Sequence, residues 1–213
     1  MGRYKKNESI IPRLYIIVNP IKQTIDKMKM INLTRTPSML FSKSMTHIKH
    51  ILLQQNDLLK YDIPHKYEKI YYNNMAYMIL LYAEWQIFIQ NVTRMGVERI
   101  RSLHNLSDED AEKLNQKTQK ALSEFGNPTC SHINKLIKDT LGIKNISSHW
   151  AYDNYSTEES KRILREISEI RNKIAHEANI GGHELSLEKC FEYMEHLFQL
   201  SQIIEQVIVD TIK

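Results

Sequence analysis

The sequence predicts an all-α fold of long helices, and three observations carry the prediction. Only 6 Gly and 5 Pro interrupt 213 residues. Leu, Ile, Lys, Glu and Met are abundant, which favours helices over a sheet with many turns. Apolar residues recur at spacings of three, four and seven or eight along the longest uninterrupted stretch. A chain of this length buries one substantial core, so a single helical domain over 36–213 is expected, preceded by an N-terminal arm over 1–35.

The arm mixes Lys and Arg with the short β-prone stretch Leu14 to Val18, fenced off by Pro12 and Pro20, and reads as extended. Thr36-Pro37 then supplies an N-cap followed by Pro at the first helical position, opening a helix through Met45, Ile48, Leu52 and Leu59 that Pro64 ends. From about Lys66 to Leu103 no Gly or Pro intervenes until Gly96, and Ile70, Met78, Tyr82, Trp85, Ile89 and Val92 form one stripe of a central long helix. Ser107-Asp-Glu-Asp110 places a hydroxyl cap and acids in the first turn of the next helix, which Gly126 and Pro128 close. That helix is polar on most faces and reads as peripheral. Ile133, Leu136, Ile137 and Leu141 make a short helix stopped by Gly142, and Ile143 to Tyr155 reads as a connecting loop carrying Trp150. Ser156-x-x-Glu159 is a capping box that opens a helix from Thr157 to about Ala178. Gly181-Gly182 breaks the chain before a last helix from about Leu187, through Cys190, Met194, Leu197, Ile204 and Ile208.

Composition narrows function mainly by exclusion. Two cysteines, Cys130 and Cys190, far apart in a chain without a signal peptide, give neither a disulfide framework nor a zinc pattern, so a cytoplasmic protein is expected. The longest apolar run, Met75 to Ala83, stops at Glu84, well short of the roughly 20 residues that span a bilayer, so no membrane span is expected. A net charge of +4 is a mild basic excess that attracts a polyanion without identifying one. No Gly-rich phosphate loop, paired catalytic carboxylates or nucleophilic Ser or Cys arrangement is present, and no cofactor is expected.

The capping-box helix is the informative one. At about 100° per residue, Ile163, Ile167, Ile170 and Ile174 fall within roughly 60° of one another and form a core-facing stripe. Opposite them Arg165, Glu169, Asn172 and His176 follow at spacings of four, three and four. Arg171 lies on the flank, about 140° from His176, but its guanidinium is long enough to reach toward a shared ligand. Spacing alone reads these residues as a solvated polar face.

The stretch Arg171-Asn-Lys-Ile-Ala-His176, late in a helix and followed by one more long helix, resembles the R-x4-6-H motif of the HEPN superfamily, with Asn172 at the polar place after the Arg. Its context is similar to the RNA-ligase-associated (RiboL-PSP) HEPN subgroup: Tyr82-Ala-Glu84, Phe88-Ile89, Phe125-Gly-Asn-Pro128, Leu136-Ile137, Leu141-Gly-Ile143 and Trp150. The resemblance covers about residues 70 to 210 and implies a HEPN-like helical bundle of long antiparallel helices. It also implies a homodimer in which two motif helices face each other, and metal-independent cleavage of RNA. Arg171 would then neutralise the scissile phosphate, Asn172 orient it and His176 move protons, with Arg165 and Lys173 as further RNA contacts. A toxin or anti-phage defence effector with an antitoxin or defence-system partner fits the same resemblance; the alternative is a non-catalytic HEPN module that binds RNA or a partner protein. Some HEPN toxins carry a Tyr two residues past the His, the target of a partner nucleotidyltransferase; here that place is Ala178.

Other candidates are weaker. His47 and His50 lie at i, i+3, but no Asp, Glu or Cys completes a metal set. His176, His183 and Cys190 recur every seven residues across a helix break, so their register is accidental. Glu84, an acid in the most apolar part of the long helix, reads as a structural ion pair or as support for Arg171. Tyr61, Tyr67, Tyr71, Tyr72, Tyr77 and Tyr82 are packing residues at helical spacing, or a stacking surface for bases.

Overall fold

Three helices start at the caps read above, at Thr36, Ser107 and Ser156. The computed structural model describes residues 35–180 and 185–213. The arm expected over 1–35, including Leu14 to Val18, therefore lies outside the described residues but for its last, as do Gly181, Gly182 and His183. Within them the helices are α1 (Pro37–Lys60), α2 (Lys66–His104), α3 (Asp108–Ser123), α4 (Cys130–Leu141), α5 (Thr157–Glu177) and α6 (Leu187–Thr211), and there is no strand. The hydroxyls of Thr36, Ser107, Thr129, Ser156 and Ser186 each accept a backbone N–H in the first turn of the helix that follows. Gly142, with φ of 75°, ends α4 in the left-handed conformation that costs glycine least. The stretch expected as a plain connecting loop contains a 3-10 turn, Ile146–His149, because Asn134 of α4 ties it down: its Oδ1 accepts from Ser147 N at 3.0 Å.

The 39-residue α2 is the spine, about 58 Å long at 1.5 Å per residue. Its apolar stripe packs against every other helix, and Tyr77, Met78, Leu81, Trp85, Phe88, Ile89 and Val92 are buried. Phe41 of α1 lies against Trp85 and Phe88, while Gln55 of α1 bonds Asn74, so α1 and α2 run antiparallel. Asn74 also donates to the carbonyl of Leu185 at 2.7 Å, and Arg99 donates to the carbonyl of Ile212 at 2.7 Å, so α6 runs parallel to α2. At Gly96 a Cβ would stand 2.6 Å from Leu141 Cδ1 and 3.2 Å from Ile208 Cγ2, so the missing side chain lets the end of α4 and the body of α6 close on α2. No helix among the described residues is long and apolar enough to cross a membrane.

α5 sits between α2 and α6, and polar ties hold it there. The carbonyl of Ser160 accepts from His196 Nε2 at 3.1 Å, Glu166 accepts from the Tyr193 hydroxyl at 2.6 Å, and Ser168 meets the Tyr82 hydroxyl at 2.6 Å. Because Nε2 faces a carbonyl, it carries the His196 ring proton, and Nδ1 accepts from the Tyr152 hydroxyl at 2.5 Å. Burial pushes the His196 pKa down to about 4, so the ring is neutral near pH 7 and ties the Trp150 segment to α5 and α6.

Candidate functional site

The capping box is complete: the Ser156 hydroxyl accepts from Glu159 N, and the Glu159 carboxylate accepts from Ser156 N at 2.9 Å. It fixes the start of α5, and the isoleucine stripe fixes its rotation, with Ile163, Ile167 and Ile170 buried and Ile174 packed on the edge of the core. Rotation then dictates where the polar residues go. Arg165, Glu169 and His176 are exposed; Arg171, Asn172 and Lys173 are half-buried. Ala178, in the left-handed region at φ 51°, ends the helix just past the motif. Its N–H closes on the carbonyl of Ile174 at 3.1 Å, keeping the last turn, with His176 in it, helical.

Arg171 is held from two sides. Its Nη1 donates to Asn172 Oδ1 at 3.1 Å, and its guanidinium carbon lies 5.8 Å from the centre of the Tyr82 ring, over the aromatic face. Tyr82 is buried, and its hydroxyl donates to Asn127 Oδ1 while receiving the Ser168 hydroxyl proton. Burial pushes its pKa up to about 12, against the opposing pull of the Ser168 hydrogen bond and the Arg171 charge, so the ring stays a neutral phenol. The short chain Asn127–Tyr82–Ser168 therefore braces Arg171 from α2, from the segment before α4 and from one turn earlier in α5. His176 has no hydrogen-bond partner among the described residues and faces solvent.

Arg171 and Asn172 thus touch, and His176 follows Asn172 by one helical turn. Glu84 is half-buried and makes no ion pair with Arg171; the support comes from Tyr82, two residues earlier in α2. Sequence reasoning noticed Tyr82 without its role. The signal it could have used is Ser168, a hydroxyl three residues before Arg171 and so on the same flank of α5. Among the tyrosines, Tyr77 and Tyr82 are core, whereas Tyr61, Tyr67 and Tyr72 are exposed. His47 and His50 are exposed on α1, and no three His, Cys, Asp or Glu among the described residues come together as a metal-ligand group.

What this arrangement can do is bind and polarise an anion. Arg171 offers a guanidinium whose position is set by an aromatic face and a neighbouring amide, and His176 offers an exposed imidazole. A family model described as RiboL-PSP-HEPN matches residues 41–210, a span that holds all six helices but the first turn of α1 and the last residue of α6. No curated protein and no solved structure matches the chain.

Proposed function

The chain belongs to the RiboL-PSP-HEPN family, and from that premise we propose that it is a metal-independent endoribonuclease in which Arg171, Asn172 and His176 carry the chemistry. The single observation behind this reading is the contrast between a braced guanidinium and an unbraced imidazole five residues further along the same helix. Cleavage by the ribose 2′-OH needs a cation on the phosphate as negative charge grows there, and a group that moves protons. Arg171 fills the first role without reorganising, because Tyr82 and Asn172 already hold it. Asn172 offers its amide to a phosphate oxygen, and His176, exposed, reaches the 2′-OH or the leaving 5′ oxygen. Arg165 and Lys173 extend the positive charge along the strand.

One His performs one proton transfer at a time, so a second copy supplies the complementary one. Leu80, Ala83 and Ile87 form an exposed apolar strip on α2, a surface that supports self-association. Residues 36–213 are then the catalytic domain and 1–35 an accessory arm. A toxin or defence effector, held in check by a partner protein, is the biological role this activity fits, and Ala178 rules out control through a Tyr at that place.

The test is incubation of the purified full chain with total RNA in excess chelator, beside His176→Ala. Cleavage by the parent and none by the variant is expected. Equal cleavage by both, or cleavage that stops in chelator and returns with Mg²⁺ or Mn²⁺, overturns the reading in favour of a binding module or a carboxylate site.

A further inference from the structure

A cleft of about 330 Å³ opens where α3 meets α4, and it adjoins the Arg171 brace through Asn127, which lines the cleft and bonds Tyr82. Its floor is apolar, formed by Phe125 and Leu136. Its rim is charged: Glu124 stands on one side, and His132, Lys135 and Asp139 follow one another along one face of α4 at spacings of three and four. Glu124, Lys135 and Asp139 make no ion pairs among the described residues, although they rim the same space. His132 is held by its Nδ1, 2.7 Å from the carbonyl of Asn127. A carbonyl only accepts, so Nδ1 donates this bond.

We infer that this cleft seats an unpaired base of the RNA strand whose phosphate Arg171 binds, with guanine the best match. The inference rests on the endoribonuclease reading in taking RNA as the ligand. Two carboxylates against one lysine make a poor phosphate site, whereas an apolar floor with both donors and acceptors at its edge suits a base. Guanine presents adjacent N–H donors at N1 and N2, which one carboxylate accepts together, and an O6 acceptor for Lys135. Uracil flanks its one N–H with two carbonyls, which the carboxylates repel. Gly126 lines the cleft, and a Cβ added there meets nothing within 4 Å, so a larger side chain fits at the cleft wall without displacing the core.

The experiment uses the full chain carrying His176→Ala, so that RNA stays intact, and two fluorescent hexaribonucleotides, one all uridine and one with a single guanosine. The guanosine-containing strand should bind about tenfold more tightly. Gly126→Leu should remove that preference while the all-uridine affinity and the melting temperature stay unchanged; separately, the pair Glu124→Gln with Asp139→Asn should remove it by weakening the guanosine strand and easing the repulsion of uracil, again at an unchanged melting temperature. Equal binding of the two strands, or a preference that survives Gly126→Leu, overturns the inference. Cleavage mapping separates its failure from that of the nuclease reading: a parent that cuts at the same positions with and without Gly126→Leu loses the cleft but keeps the nuclease. A chain that never cuts yet loses its guanosine preference on Gly126→Leu keeps the cleft and loses the nuclease.

Discussion

The two ends of α5 are built for different purposes. From Thr157 to Ile170 the helix is embedded: a complete capping box opens it, Leu164, Ile167 and Ile170 are fully buried, and ties to His196, Tyr193 and Tyr82 hold it to α6 and α2. From Arg171 to Glu177 burial falls away, and the last four residues of the helix but one are exposed. The same periodicity runs through both halves, yet the first half buries its apolar side chains and ties its polar ones to neighbouring helices, while the second leaves more of its side chains exposed. A helix anchored at one end and projecting at the other holds a site rigidly without burying it.

Substitutions in the two halves should therefore fail in different ways. The largest effect belongs to the embedded half: Ile170→Asp buries an unpaired charge at a fully buried position and should destabilise the fold by about 4 kcal/mol or more, enough to lose cooperative melting. From the very next residue, in the exposed half, the outcome reverses. Arg171→Ala and His176→Ala should each lower cleavage by ~10²–10⁴-fold with the melting temperature nearly unchanged, as kinetics beside calorimetry will show. A large drop in stability for His176→Ala would erase the distinction between the halves.

Tyr82→Phe sharpens the boundary, because Tyr82 serves both. Losing the hydroxyl strands Ser168 and Asn127 and should cost about 1–3 kcal/mol in denaturant melts. Arg171 keeps the aromatic face and Asn172 but loses the hydroxyl anchor that fixes the ring, so cleavage should fall by up to roughly tenfold, less than on its own deletion. An unchanged rate would leave Tyr82 purely structural.

The smallest effect comes from pH. His196 is held neutral, with its pKa pushed from 6.5 down to about 4 by burial. In the unfolded chain it takes a proton as pH drops below 6.5, while in the folded chain it does not until about 4. The unfolded state thus binds more protons in that window, so the stability present in full above 6.5 is lost as pH falls toward 4, by about 1–2 kcal/mol between pH 7 and pH 5. Thermal melts across that range will measure it, and His196→Gln should flatten the slope; an unchanged slope would place the acid sensitivity elsewhere.

How much of this was legible beforehand follows the same divide between local and distant. Three helix starts were readable because a cap and its first turn are neighbours in sequence: Thr36-Pro37, Ser107 and the Ser156-Glu159 box all sit where the chain begins to coil. The isoleucine stripe gave the rotation of α5, and with it which residues face outward. What could not be read was which α2 residue meets Arg171. Glu84 was the natural choice on charge, but the turn of α2 that faces α5 carries Tyr82, and only the packing of two distant helices decides that. The cleft beside Asn127 was hidden for the same reason, since its walls come from the end of α3 and one face of α4.

The most direct test of the account is the chemistry of the cut ends. RNA cleaved by the parent protein in chelator should yield 5′ fragments ending in a 2′,3′-cyclic phosphate, which a ligase requiring a 3′-hydroxyl cannot join, and His176→Ala should yield almost none. Fragments with a free 3′-hydroxyl, or equal yields from the two proteins, would contradict the claim that the exposed end of α5 cuts RNA through 2′-OH attack.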